Sequence, residues 1–339
     1  MKSGNLTKVA VIGAGSWGTT LANLLAAKGD STLLYVYEAD QYELMKTTRL
    51  NKKYLPGIEL EKELGLTHDL EQAFDFSTNI LLAVPSHAMR SILKQIPGKK
   101  MQRKLFISAA KGIENDTLLR MTQVIQDVSG AGEEQVAALS GPSHAEEVSR
   151  GIASAVVAAS SVLDTARRVR EIFRTDTFRV YSSTDLVGVE LGGALKNIIA
   201  IAAGIADGAG FGDNTKAALM TRGLVEISRL GVAMGAQMTT FSGLSGIGDL
   251  IVTCMSRHSR NRFVGEQIGK GKTLKTVLDG MVMVAEGVKT TKSVHQLREK
   301  FPVITPISQE VYEVLFQDKN PLQAVRDLMT RDPKEEHPI

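Results

Sequence analysis

Cysteine is almost missing: Cys254 stands alone among 339 residues. No disulfide can close within the chain, and a reducing compartment is expected. Lysine and arginine form no long block of the kind that tracks a nucleic-acid backbone, so no nucleic-acid partner is expected. The formal net charge is only +3, a mild excess that suits small anionic ligands. The opening MKSGNLTK is polar and leads into a run of four apolar residues, without a signal-peptide core. No apolar run reaches membrane-spanning length, so a cytoplasmic protein without a membrane span is expected. Histidines are scattered, with no H-x-x-x-H and no cysteine cluster, which argues against a dedicated metal site. No G-K-[ST] follows a strand-like run, which argues against a nucleoside-triphosphatase. Neither a Pro/Ser/Gly linker nor an internal repeat is present.

What is there has the composition of an ordinary globular protein, 43% hydrophobic and 23% charged, and the length suggests two domains. The first half alternates β-rich runs with helical patterns. Lys8–Ile12 reads as a buried strand, Trp17–Lys28 as a helix, and Leu33–Tyr37 as a second strand. Asn79–Val84, Lys104–Ala109 and Val136–Leu139 read as further strands, with Ala153–Ala158 and Phe178–Tyr181 as two more. Such alternation predicts a doubly wound, Rossmann-like parallel sheet with helices on both faces. After Asp185 the patterns are helical: Leu186–Asp207, Thr215–Met234, Thr273–Met281, Lys289–Lys300 and Pro306–Phe316. The expected division is a dinucleotide-binding α/β domain over 1–184, an all-α substrate domain over 185–330, and a charged tail over 331–339 that frays.

Gly13-Ala-Gly15-Ser-Trp-Gly18 lies between a predicted strand and a predicted helix, the context a dinucleotide-binding turn needs. Gly13 allows the sharp turn, Gly15 the approach of a pyrophosphate, and Gly18 the close seating of the helix. The pyrophosphate would rest on unpaired amides at the positive helix end. A glycine turn used only for packing is the plainer alternative. Glu38 lies twenty residues after Gly18, where a carboxylate can accept from the ribose hydroxyls and repel a 2′-phosphate. That leans towards NAD, while Tyr37 and Lys46 leave NADP open.

The segment Leu191–Ala206 is apolar or small except for Lys196 and Asn197. A helix apolar nearly all round belongs in an interior. There, burial would push a lysine's pKa down towards neutrality and fit it for proton transfer. The alternative is a lysine snorkelling past small residues to the surface. Sixteen residues are too few to cross a bilayer. Lys111 follows a predicted strand at its carboxyl end, where ligands of open parallel sheets bind. Ser140-Gly-Pro-Ser143 also ends a strand. Ser143 could cap the next helix, or the turn could hold a substrate hydroxyl or phosphate. Asp249 reads either as a helix cap or as a hydroxyl acceptor. Ser256-Arg-His-Ser-Arg-Asn-Arg262 sets three arginines beside hydroxyls and an amide, a match for phosphate oxygens or else a solvated basic face.

Taken together, Gly13–Gly18, Asn51-Lys-Lys-Tyr-Leu-Pro56, Val84-Pro-Ser86, Ala110-Lys-Gly-Ile-Glu114, Ser140–Ser143, Gly192-Gly-Ala-Leu-Lys-Asn197 and Ser259-Arg-Asn261 resemble the bacterial-type NAD(P)-dependent glycerol-3-phosphate dehydrogenases over essentially the whole chain. The resemblance implies Lys196 as proton donor and acceptor, with Lys111 between substrate and cofactor. It implies Gly141, Ser143, Asp249, Thr253, Ser259, Arg260 and Asn261 around glycerol phosphate, with Lys111 and Asn197 orienting and polarising the carbonyl oxygen. Cofactor contacts would fall on Ser16, Trp17, Tyr37, Tyr54, Lys111, Ala145, Arg260, Val284 and Glu286. The reaction implied is reversible hydride transfer between NAD(P)H and dihydroxyacetone phosphate, in a cytoplasmic homodimer feeding phospholipid synthesis. The second strand ends in Tyr37-Glu38 rather than an arginine pair, so NADH and NADPH both stay open. A dehydrogenase of 3-hydroxy acids would share the plan but need a carboxylate site, and a non-catalytic dinucleotide sensor would have no use for both lysines.

Overall fold

The computed structural model describes residues 7–332, 335 and 336. The polar lead-in over 1–6 and positions 333, 334 and 337–339 of the expected frayed tail lie outside the described residues. Eight strands form one sheet: β1 (Lys8–Ile12), β2 (Ser31–Tyr35), β3 (Gly65–Thr67), β4 (Asn79–Leu82), β5 (Leu105–Ser108), β6 (Val136–Ser140), β7 (Ser154–Ala159) and β8 (Phe178–Ser183), in the order β3-β2-β1-β4-β5-β6-β7-β8. The period-2 pattern of the strands sorts their side chains onto two faces. Val9, Val11, Leu81 and Ile107 face one apolar layer, and Ala10, Ile12, Ile80 and Phe106 the other. Both layers are covered by helices, which is why β4, β5 and β6 are buried along their whole length.

Strand addition reverses direction at β1, which pairs with β2 on one side and β4 on the other. In open α/β sheets that switch point, at the carboxyl ends of the strands, is where ligands bind. Pairing is parallel as far as β6. It departs from the expected parallel pattern at β7, which runs antiparallel to β6, with β8 parallel to β7. The connection from β6 to β7 holds only the four-residue helix Ala145–Val148. That helix is about 6 Å long, too short to return along a strand of about 16 Å. The helix between β7 and β8, Leu163–Phe173, has eleven residues and makes the crossover. β3 was not expected from the sequence; it is a three-residue edge strand containing glycine.

The second half surrounds the helix Leu186–Gly208, capped by Asp185, whose Oδ1 accepts from the Gly188 amide at 2.9 Å. At 23 residues this helix is long and apolar enough to cross a membrane, contrary to the short segment expected, but 94% of its apolar window is buried inside the protein. It is a core helix. Glu190 ties it to the sheet half, accepting from the Thr122 amide at 2.8 Å and from Arg120. The helix Arg260–Gly269, absent from the sequence reading, crosses it backbone to backbone. A Cβ on Gly204 would stand 2.0 Å from the Arg262 carbonyl, and one on Gly265 2.0 Å from that of Ile201. That close crossing delivers the start of the Arg260–Gly269 helix to the face of the central helix that carries Lys196 and Asn197.

Candidate active site

The glycine turn closes as its spacing requires. Gly13 has φ +111°, and a Cβ there would lie 2.8 Å from the Ala83 carbonyl. On Gly18 it would lie 1.9 Å from the Gly13 carbonyl, so the helix α1 (Ser16–Ala27) can seat only without a side chain at that position. Around Gly15 a Cβ would meet nothing within 4 Å. The first turn of α1 has no side-chain cap and no acidic residue. Open space beside uncapped amides is what a pyrophosphate needs, so these residues fit a dinucleotide. Ser16 is buried, and Trp17 packs towards the sheet with its ring 6.2 Å from that of Phe178. What Trp17 offers at the turn is therefore its amide rather than its ring.

At the end of β2, Tyr37 is 71% exposed. Glu38 stands beside it with one carboxylate oxygen engaged. Its Oε1 accepts from Lys53 Nζ at 2.6 Å and from the Tyr54 hydroxyl at 2.9 Å. Lys46, by contrast, lies over the Tyr42 ring, 5.5 Å from its centroid. Sequence reasoning missed Lys53, because one lysine in a polar loop has no periodicity or spacing to mark it.

The polar centre lies where the carboxyl ends of β5 and β6 meet the central helix. Lys111 follows β5 and its Nζ donates to the Gly141 carbonyl at 2.9 Å and to Asp249 Oδ2 at 2.7 Å. Lys196, 5% exposed, donates to Asp249 Oδ1 and, at 2.6 Å, to Thr253 Oγ1. One buried carboxylate thus bridges two ammonium groups, one on each oxygen. Burial pushes the Lys196 pKa down to about 7; the charge of Lys111 adds to the fall and Asp249 opposes it. The snorkelling alternative is excluded by this burial. Asp249 does not cap its helix, Asp249–Met255. It is the first residue of that helix, and both oxygens are drawn to the lysines, where the charge interaction is stronger than a capping bond.

Asn197, buried beside Lys196, accepts at Oδ1 from Asn261 Nδ2 at 2.9 Å, and Asn261 Oδ1 accepts from the Gly287 amide at 2.9 Å. Asn197 Nδ2 has only long contacts, 3.4 Å to the Gly193 carbonyl and 3.5 Å to that of Lys111. It retains donor capacity. Arg260 donates to the Val284 carbonyl at 3.0 Å; burial draws its pKa below the usual arginine value, and the charges of Glu146 and Glu286 oppose the fall. Of the other arginines in that run, Arg262 is held by Asp207 at 2.7 Å and Arg257 is exposed, so Arg260 alone joins the cluster. Ser259 caps its own helix through the Arg262 amide. Ser143 caps nothing: its hydroxyl donates to the Gly141 carbonyl at 2.9 Å, because the helix begins one residue later than the capping geometry needs. Ala145 is buried, and its carbonyl accepts from Thr20 in α1 at 3.4 Å. Glu286 Oε1 accepts from the Ser86 amide at 3.0 Å, joining the loop after β4 to the helical half. His144, also missed in the sequence, reaches the Val252 carbonyl at 3.4 Å, and burial and the Lys196 charge lower its pKa. Its signal was its place between the Ser140–Ser143 run and Ala145. Among the described residues, no group of three or more His, Cys, Asp or Glu side chains could hold a metal ion.

Two family models match in sequence: the N-terminus of NAD-dependent glycerol-3-phosphate dehydrogenase over residues 8–166, and its C-terminus over 185–326. The chain belongs to the NAD-dependent glycerol-3-phosphate dehydrogenase family. A relative in Prosthecochloris aestuarii, named glycerol-3-phosphate dehydrogenase [NAD(P)+], is 54% identical over 97% of this chain and 99% of its own. One of the same name in Citrifermentans bemidjiense is 52% identical over 97% and 98%. The crystal structure of glycerol-3-phosphate dehydrogenase from Coxiella burnetii superposes with a TM-score of 0.91 at 36% identity, covering 96% of this chain and 99% of that one. Membership of the glycerol-3-phosphate dehydrogenase family makes the chain an NAD(P)-dependent oxidoreductase and accounts for its having both a glycine turn and a lysine centre.

Proposed function

We propose that this chain interconverts dihydroxyacetone phosphate and sn-glycerol 3-phosphate with NADH or NADPH. The observation that carries the reading is the buried Lys196, held by Asp249 beside Lys111. Residues 1–184 would hold the dinucleotide and 185–330 would complete the substrate site. Gly13, Gly15, Ser16, Trp17 and Gly18 would cradle the pyrophosphate, and Tyr37, Glu38 and Tyr54 the adenosine end. Ala145, Val284 and Glu286 would border the nicotinamide with Lys111 and Arg260. A nicotinamide held there would supply hydride for the carbonyl carbon in one direction and accept it in the other.

Reduction also consumes one proton, which the carbonyl oxygen must receive. Lys196, its pKa lowered to about 7 by burial, gives that proton from Nζ and recovers it in the oxidative direction. Asp249 and Thr253 fix the position of Nζ. Lys111 and the free donor of Asn197 stabilise negative charge as it builds on the oxygen. Arg260, Ser259, Asn261, Gly141 and Ser143 would hold the phosphate, and this remote binding places the carbonyl for reaction. A 3-hydroxy acid would need a carboxylate site, whereas the Ser259-Arg-Asn261 run matches phosphate oxygens.

NADH and NADPH oxidation followed side by side with dihydroxyacetone phosphate and with 3-keto acids tests this. Turnover confined to the ketone phosphate is expected, and no oxidation with any ketone phosphate would leave a sensor as the explanation. We also place the chain in the cytoplasm, supplying glycerol 3-phosphate for phospholipid synthesis, as a homodimer. The exposed stripe Ile247, Ile251 and Met255 on one helical face is apolar surface of the kind such contacts cover. Light scattering should give twice the mass of 36.6 kDa; a single-chain mass would refute the dimer.

A further inference from the structure

Lys53 has no part in the reading above, yet the structure aims it at the adenosine end of the cofactor site. Its loop is fastened to the dinucleotide turn by Asn51, which is buried. Asn51 Nδ2 donates to the Ala14 carbonyl at 2.9 Å and to Thr19 Oγ1 at 2.8 Å, while its Oδ1 accepts from the Tyr54 amide at 3.1 Å. The same loop is fastened to the end of β2 by Lys53 and Tyr54, which both donate to Glu38 Oε1. Among the described residues, Glu38 Oε2 accepts no hydrogen bond. The side chains of Lys53 and Glu38 are 42% and 31% exposed, open to a ligand on the solvent side.

A carboxylate at the end of the second strand accepts from ribose hydroxyls and repels a 2′-phosphate. Here that carboxylate is already neutralised by an ammonium, and an exposed ion pair of this kind is weak enough to exchange. We propose that Glu38 and Lys53 form a two-way selector that lets the chain bind both dinucleotides. With NAD(H), Glu38 stays on Lys53 and Tyr54 through Oε1 and accepts the ribose hydroxyls at Oε2. With NADP(H), the 2′-phosphate replaces Glu38 as the partner of Lys53 and Tyr54, exchanging one charge-assisted contact for another. Lys53 is then the residue that determines whether the phosphorylated cofactor is tolerated. The proposal rests on the reading that the glycine turn holds a dinucleotide.

Calorimetric titration of the full chain with NADH, NADPH, AMP and adenosine 2′,5′-bisphosphate tests it without turnover. The wild type is expected to bind NADH and NADPH within about tenfold of each other. Lys53→Met, at an exposed position, is expected to weaken NADPH and the bisphosphate by about tenfold or more, with NADH and AMP changed by less than about threefold. Glu38→Gln is expected to do the opposite, weakening NADH while tightening NADPH. Equal losses for all four ligands in Lys53→Met, or no loss for any, would overturn the selector while leaving the dinucleotide site intact. A wild-type chain that binds none of the four would overturn the dinucleotide reading itself, and the selector with it.

Discussion

Lys196→Met is expected to lower turnover of dihydroxyacetone phosphate by about 10²-fold or more, the usual worth of a positioned proton donor, with NADH binding nearly unchanged. Methionine fills the space of the lysine stem and introduces no unpaired charge, and Asp249 keeps Lys111 as its partner at 2.7 Å. The variant should therefore fold. Stopped-flow turnover together with NADH titration reads both halves of this expectation. If turnover survives within a few-fold, the proton comes from another group, and Lys111, on the other oxygen of the same carboxylate, is the first to examine.

Arg260→Ala separates phosphate gripping from proton transfer. If Arg260 holds the phosphate, the variant should lose on the order of 2–4 kcal/mol of transition-state binding for dihydroxyacetone phosphate, as a desolvated charge pair would. Dihydroxyacetone carries no phosphate, so the wild type should use it poorly and the variant almost equally poorly. Arg260 also holds the Val284 carbonyl at 3.0 Å, and its loss could loosen the cofactor side. Measuring kcat/KM at saturating cofactor removes that effect. An equal fall on both substrates would show that Arg260 serves the cofactor or the fold instead.

The parts of this site that were legible in the sequence are those carried by local pattern. The strand-then-glycine signature of Gly13–Gly18, the loops after β5 and β6, and the apolar helix around Lys196 each declare themselves within one short stretch of sequence. What was hidden depends on contacts between distant segments. Asp249 lies 53 positions from Lys196 and 138 from Lys111, and no spacing rule links one carboxylate to two lysines so far away. The Arg260–Gly269 helix was obscured by its own glycines, which lower helix propensity; here Gly265 lets the backbone approach Ile201 closely. The reversal at β7 is a matter of connection length, visible only once the short Ala145–Val148 helix is placed. Ser143 shows the converse, a local capping pattern that the observed helix start does not use.

The central claim is that Lys196 carries the proton, and the pH dependence of the two reaction directions tests it most directly. Its folded pKa is lowered to about 7 by burial, so the charged form needed to reduce the ketone is lost as pH rises through that value. The neutral form needed to oxidise the alcohol is gained over the same range. The substrate phosphate also titrates near neutrality, but it would move both directions the same way. The account predicts that kcat/KM for dihydroxyacetone phosphate falls and that for glycerol 3-phosphate rises with a break at about pH 7. Lys196→Met loses that break, while the ratio of the two directions still follows pH because the reaction consumes a proton. Wild-type profiles without a break near that pH, or the same break persisting in the variant, would contradict it.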